Sequence, residues 1–225
     1  MIKAVVFDLD GTLVNFNIDY KTLRAEVRSF LITQGIPASI LSINDSIFEM
    51  LNKTEIFMKN NGKSPKAFKE IYAKVDKITE KYELEAAKTV GLLPGVTDVL
   101  KALKEAGLKI GLCTVSSEKT TNYILNKFKI GNFFDAVIPR ERVKHAKPHR
   151  EHLEATLKAL GVKPEETLMV GDSVADVKCA RELNIMAVGI TSGVSNMKEL
   201  ADAGANYIIT LISDLPTLIT QWNKA

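Results

Sequence analysis

The sequence predicts an α/β protein: a Rossmann-like parallel sheet core with helices on both faces, interrupted by an inserted helical domain. Two observations predict it. Short apolar runs rich in Val and Ile alternate with helical patterns over most of the chain, and the alternation lapses once, from roughly Phe16 to Val90. Nearly continuous apolar runs are expected of parallel strands covered on both faces. Strand alternating with helix implies a parallel sheet with right-handed crossovers.

The first apolar run is Ile2 to Phe7; later ones are Leu108 to Thr114, Ala136 to Ile138, Thr167 to Val170, Ile185 to Ile190 and Tyr207 to Ile209. Helices are predicted near 95–106, 117–129, 148–160, 174–183 and 195–203, with Gly107 and Gly161 as left-handed stops. Between the first two strands, Tyr20 to Gln34 and Lys66 to Thr89 are amphipathic, and Asn61-Gly62 and Ser64-Pro65 punctuate them. So long an interval exceeds a crossover loop and reads as a helical insert, with Pro94-Gly95 marking the return. The expected organisation is a core of roughly 1–15 and 91–225 and a helical unit of roughly 16–90.

Bulk properties narrow the function classes. Of 225 residues, 46% are apolar and 25% charged, which sets aside disordered and collagen-like chains. The net charge of +3 suits an anionic substrate but is too small to argue for nucleic acid. No apolar run approaches the roughly 18 residues a bilayer span needs. The opening MIKAVVFDLDG carries acids where a signal peptide needs small residues, so a cytoplasmic protein with no membrane partner is expected. Cys113 and Cys179 lie in apolar segments without metal-ligand spacing and read as buried free thiols.

Four motifs carry the chemistry. Asp8 and Asp10 close the first strand run, and residues two apart on an extended chain face one side. In parallel α/β sheets ligands bind at that edge. Asp10-Gly11 alone would be only a turn signal, but Asp8 follows an apolar run and would be costly to bury unpaired. Asp172 closes another run, and Asp176 lies one helical turn further on, although Asp172 or Ser173 would also serve as a helix N-cap. Four converging carboxylates repel unless a cation neutralises them, and hard oxygen ligands suit Mg²⁺. Thr114, Val115 and Ser116 open a helix, where hydroxyls and backbone N–H groups make an anion site, or merely a cap. Lys147-Pro148 stands just before a helix; a lone lysine there is more often a solvated charge, and Pro148 fits a first helical turn.

In this order, the DLDGTL run, Thr114, Lys147-Pro148 and the GDSxxD run resemble the haloacid dehalogenase superfamily of phosphotransferases along the whole chain, nearest the phosphoglycolate phosphatase and β-phosphoglucomutase group. The insert resembles that family's first type of helical cap. The resemblance implies a Mg²⁺-dependent phosphatase acting on a small phosphorylated metabolite, with cap closure over a site between the two parts. It implies Asp8 as nucleophile, Asp10 as acid and base, Thr114 and Lys147 on the phosphoryl group with Val115 and Ser116 beside it, and a metal held by Asp8, the Asp10 backbone carbonyl and Asp172, oriented by Asp176. Val115, Asn15-Phe16 and Arg150 depart from the family's usual Asn, Asp-Ser and second Pro, positions that bear on substrate rather than on the acids.

Other readings stay open. A phosphomutase would need water excluded and a bisphosphate held. A non-catalytic phosphate-binding regulator would leave the acids without a task. A dehalogenase or phosphonatase would lack an acid at the position of Asp10. Oligomeric state is open between monomer and homodimer. His145, His149 and His152 read as a solvated helix start rather than a metal site, and Arg24 and Arg28 as an exposed helix face more readily than a grip on a substrate carboxylate.

Overall fold

The computed structural model describes residues 1–15 and 18–224. Phe16, where the sequence reading begins the insert and which it names as a departure, lies outside the described residues, as do Asn17 and Ala225. The chain divides into two compact units, Met1–Phe16 with Thr89–Ala225, and Asn17–Lys88.

The first unit holds one six-stranded parallel sheet. Its strands are β1 (Ala4–Phe7), β2 (Lys109–Cys113), β3 (Ala136–Ile138), β4 (Thr167–Gly171), β5 (Met186–Ile190) and β6 (Tyr207–Ile209), in the order β3-β2-β1-β4-β5-β6. Its helices are α4 (Val96–Glu105), α5 (Glu118–Lys127), α6 (Arg150–Leu160), α7 (Val174–Glu182), α8 (Met197–Asp202) and α9 (Leu215–Lys224). Strand residues of both parities are buried. Ala4, Val6, Cys113, Met169 and Ala187 pack in one cluster with Leu153, Leu157 and Leu160 of α6, Val177 and Ala180 of α7 and Leu200 of α8. The alternating Val5, Phe7, Ile110, Leu112, Leu168 and Val170 are buried too, and α4 packs on β2 and α9. This two-sided burial is why the strand runs are apolar without alternation.

After β1 the chain makes one tight turn, in which the Leu9 carbonyl accepts from the amides of Thr12, Leu13 and Val14. It then pairs with the segment that returns to the sheet. Asn15 N donates to Gly91 O, Gly91 N to Asn15 Oδ1 and Leu93 N to Leu13 O. Exit and re-entry are therefore stapled side by side, which lets helices be inserted without disturbing the sheet.

The second unit contains α1 (Tyr20–Thr33), α2 (Ile47–Asn60) and most of α3 (Pro65–Thr89). Leu23, Val27 and Leu31 recur at four-residue spacing and bury with Met50, Leu51, Met58, Ile71 and Val75. Asp19 caps α1, Ser46 and Glu49 form a reciprocal capping box on α2, and Ser64 Oγ accepts from Ala67 N at the start of α3.

Several sequence expectations need correction. The reading missed α2 and α9; α9 is held by Leu215 and Ile219. Helix α6 begins at Arg150, because His149 is its cap and Pro148 stands outside it. Arg28 is not an exposed charge: it donates to Leu41 O and Ala38 O, tying α1 to its own loop. Arg24 is half-buried, with its guanidinium 5.7 Å from the Tyr20 ring centre. The helix stops at Gly107 and Gly161 have φ of +75° and +63°, as expected. Among the described residues no helix is long and apolar enough to cross a membrane.

Leu112 sits fully buried on β2, beside β1. Leu112→Ala should cost about 2–5 kcal/mol in urea unfolding with an unchanged m-value.

Candidate active site

The sheet register brings the motifs to one edge. Phe7 of β1 lies opposite Leu112 of β2 and Val170 of β4. Asp8, Thr114 and Asp172 thus leave three adjacent strands at their carboxyl ends, beside the point where strand order reverses. Carboxylate oxygens of Asp8, Asp172 and Asp176 all lie within 4.8 Å of one another, and all three residues are buried.

Lys147 closes this cluster. Its Nζ is 2.7 Å from Asp8 Oδ1 and 2.5 Å from Asp176 Oδ1, and only 2% of its side chain is exposed. It is therefore not the solvated lysine that position alone would suggest. Burial pulls its ammonium down, but Asp176 and Asp8 outweigh that and hold it well above the ordinary lysine value. One ammonium cannot neutralise three carboxylates. Burial pushes Asp8 up from 3.8 to about 8; Lys147 opposes this, while Asp176 and Asp172 add to it. Burial, then Asp176, raises Asp172 to about 6, against the pull of Val194 N–H, Lys147 and Thr12. Three carboxylates and one ammonium leave an excess of two negative charges. A hard divalent cation cancels that excess, and oxygen donors are its preferred ligands, so these residues fit Mg²⁺.

Asp176 and Asp172 are oriented by neighbouring hydroxyl and backbone N–H groups. Ser173 is the N-cap of α7 and, with Asp176, forms a capping box: Asp176 Oδ2 accepts from Ser173 N at 3.1 Å and Ser173 Oγ at 2.6 Å. This settles the N-cap question, since Asp172 remains pointed at the cluster. Asp172 Oδ1 accepts from Thr12 Oγ1 at 3.2 Å and Oδ2 from Val194 N at 2.8 Å.

The 192–195 segment was missed by the sequence reading. Besides Val194, it contributes Ser192 Oγ to Gly11 O, and Ser195, whose N donates to Asp172 O and whose Oγ accepts from Val174 N. A Cβ on Gly193 would fall inside the Asp172 carboxylate, and one on Gly11 would crowd it at φ +80°. The available signal was the Thr-Ser-Gly-Val-Ser run after a strand, a turn composition that does not reveal its target.

Asp10 is held by a hydroxyl. Its carboxylate accepts from Ser116 Oγ. Of the four carboxylates named from sequence, three lie within 4.8 Å of one another, and the fourth, Asp10, accepts a hydroxyl. Thr114 is buried, and its Oγ1 accepts from Ser116 N at 3.1 Å, so its own proton is left to donate. The Val115 carbonyl takes up Arg140 Nη1 at 2.9 Å. Arg140 belongs to a second missed element: Glu141 accepts from Glu118 N, and Arg142 pairs with the Glu118 carboxylate, so the Arg-Glu-Arg segment clamps the start of α5.

The histidines also differ from expectation. His145 and His149 are exposed with ring centres 4.8 Å apart, but His152 is fully buried. Burial, then Lys147, lowers His152 to about 4. Cys113 and Cys179 are free and buried, and burial pushes their thiols to about 12 and about 11.

Asp8 and Asp172 are both raised above the ordinary carboxylate value, so between about pH 4 and 8 they bind more protons in the metal-free native state than in the unfolded chain, and together they outweigh the opposite contribution of His152. Stability without metal should therefore fall as pH rises through that window. Urea midpoints in chelator at pH 5 and pH 8 measure it, and Mg²⁺ should restore more at pH 8. Lys147→Met should destabilise the metal-free protein by about 3–5 kcal/mol at pH 8, and by less at pH 5, where Asp8 is protonated.

A family model for haloacid dehalogenase-like hydrolases matches residues 5–190. Among curated proteins, the chain is 28% identical over 229 residues to pyrophosphatase PpaX of Bacillus mycoides, covering 99% of each chain. Among solved structures, a predicted phosphoglycolate phosphatase from Haemophilus somnus superposes with a TM-score of 0.66 at 24% identity, over 97% of this chain and 98% of that one. A β-phosphoglucomutase from Clostridium difficile superposes with a TM-score of 0.69 at 24% identity, over 100% and 98%. With its site acids at the carboxyl ends of β1 and β4 and the model spanning both, the chain belongs to the haloacid dehalogenase-like hydrolase family.

Proposed function

We propose that this hydrolase is a Mg²⁺-dependent phosphatase that cleaves a small phosphate monoester through a phosphoaspartyl intermediate on Asp8. The observation that carries the reading is a buried carboxylate, Asp8, held at 2.7 Å by a buried ammonium within a carboxylate cluster of excess negative charge. The hydrolase's core comprises 1–15 and 91–225, and its helical cap 16–90.

In the first step an Asp8 carboxylate oxygen attacks phosphorus. The aspartyl O–P bond forms, the ester P–O bond breaks, and Asp10 gives its proton to the leaving oxygen. In the second step Asp10 takes a proton from water as the water oxygen bonds to phosphorus, and the Asp8 carboxylate leaves. Lys147 neutralises charge between Asp8 and the phosphoryl group, and Thr114 donates its hydroxyl to a phosphoryl oxygen, with the Val115 and Ser116 backbone alongside. Asp8, Asp172 and the Asp10 backbone carbonyl would hold Mg²⁺, with Asp176 orienting. When bound, the ion supplies the charge that lets a carboxylate approach a phosphate dianion. The remaining contribution is positioning, and Ser116 Oγ on Asp10 and Thr12 Oγ1 on Asp172 supply part of it.

The substrate is taken to be a small phosphorylated metabolite. Relatives named as pyrophosphatases and structures named for phosphoglycolate and glucose phosphates define the first panel: pyrophosphate, phosphoglycolate and sugar phosphates.

Phosphate release from this panel with Mg²⁺ should be abolished by chelator and reduced about 10³-fold or more in Asp8→Asn. Asp10→Asn should slow turnover by about 10²–10⁴-fold, since it removes the proton donor and base. Turnover surviving Asp8→Asn would exclude the aspartyl route, and isomer formation without phosphate release would make the protein a mutase.

A further inference from the structure

His152 is a buried titratable group that the chemistry above leaves without a task. Its ring is fully buried on α6 and touches two parts of the site from behind. Nδ1 accepts from the backbone N–H of Lys147 at 3.2 Å. Nε2 lies 2.9 Å from the carbonyl of Ile138.

These partners define the tautomer without reference to any titration. An amide N–H can only donate, so Nδ1 carries no proton; a carbonyl can only accept, so Nε2 carries one. The same Ile138 carbonyl also accepts the backbone N–H of Thr114 at 3.2 Å. A continuous chain of hydrogen bonds therefore runs from the Thr114 amide through Ile138 O and the His152 ring to the Lys147 amide. Its two ends are the residues proposed to contact the phosphoryl group.

We propose that His152 is a positioning residue: its neutral ring fixes the Lys147 backbone, and with it the ammonium, in register with Thr114 and Asp8. The idea rests on the phosphatase reading for its kinetic consequence but not for its geometry. Lys147 needs such a tie because its segment, 143–149, runs between short turns and the start of α6 with no strand to hold it. Pro148 has no N–H, so Lys147 N is the last amide before His149 that can be tied. The ring projects from α6, a regular helix that fixes the backbone of residue 152. A protonated ring could not accept from Lys147, and burial near the Lys147 ammonium keeps it neutral.

The two ring nitrogens can be tested separately. In His152→Asn the side-chain oxygen stands near the place of Nδ1 and keeps an acceptor for Lys147. In His152→Gln the amide nitrogen stands near the place of Nε2 and keeps the donor to Ile138. His152→Leu removes both. Hydrogen exchange of the Lys147 amide, kcat, KM and Tm are measured on all three with the preferred phosphate ester of the panel. Lys147 protection should survive in Asn and be lost in Gln and Leu. The value of kcat should fall about tenfold or more in Gln and Leu with KM changed by less than about threefold, and Asn should recover most of it. Equal kcat losses in all three that follow Tm, or Lys147 protection that is indifferent to the substitution, would overturn the proposal. If the wild-type protein turns over no member of the panel, the phosphatase reading falls, and the exchange comparison alone decides the positioning.

Discussion

The site is organised around one buried ammonium. Lys147 Nζ sits between Asp8 and Asp176 with almost no contact with solvent, and removing it would strand charges that the interior cannot solvate. The acids nevertheless outnumber it, so the metal-free site holds an electrostatic imbalance of fixed sign. Burial, with that imbalance adding to it, pushes Asp8 and Asp172 up, and the residues present fit a divalent cation.

Around that charge cluster the fold supplies rigid geometry in place of additional charge. Parallel strands β1, β2 and β4 deliver Asp8, Thr114 and Asp172 to one edge. Asp176 is both a member of the cluster and half of a capping box, so the start of α7 and the metal-receptive acids are built from the same atoms. The 192–195 segment approaches Asp172 so closely that position 193 has no room for a side chain. Groups held this way need little reorganisation as charge develops, which is where electrostatic catalysis draws its effect.

The polar groups behind the site follow the same logic. Ser116 serves Asp10, Arg140 holds the Val115 carbonyl, and His152 joins Ile138 to Lys147. None adds net charge beside the phosphoryl position except Arg140, whose guanidinium is buried and turned toward backbone. The hydrolase family assignment accounts for the acids, and this supporting shell holds them in place.

Much was legible in the sequence because it depends on neighbours along the chain. Strand and helix alternation, the inserted helical stretch, the helix stops at Gly107 and Gly161 and the carboxylates at strand ends follow from backbone periodicity, turn chemistry and the cost of burying charge. The helices α2 and α9 escaped because packing against other elements sustains them more than their own pattern does. Only the tertiary structure decided that Lys147 is buried and shared by two acids, that Asp10 turns to Ser116, that Val194 N–H reaches Asp172 and that His152 is a core hydrogen-bonding group. Each depends on residues tens to more than a hundred positions apart, or on which side of a short loop a ring packs. Residue type and spacing carry the chemistry a chain can perform; which donor meets which acceptor is set when the sheet closes and water is excluded, because only then does an unpaired polar group become costly.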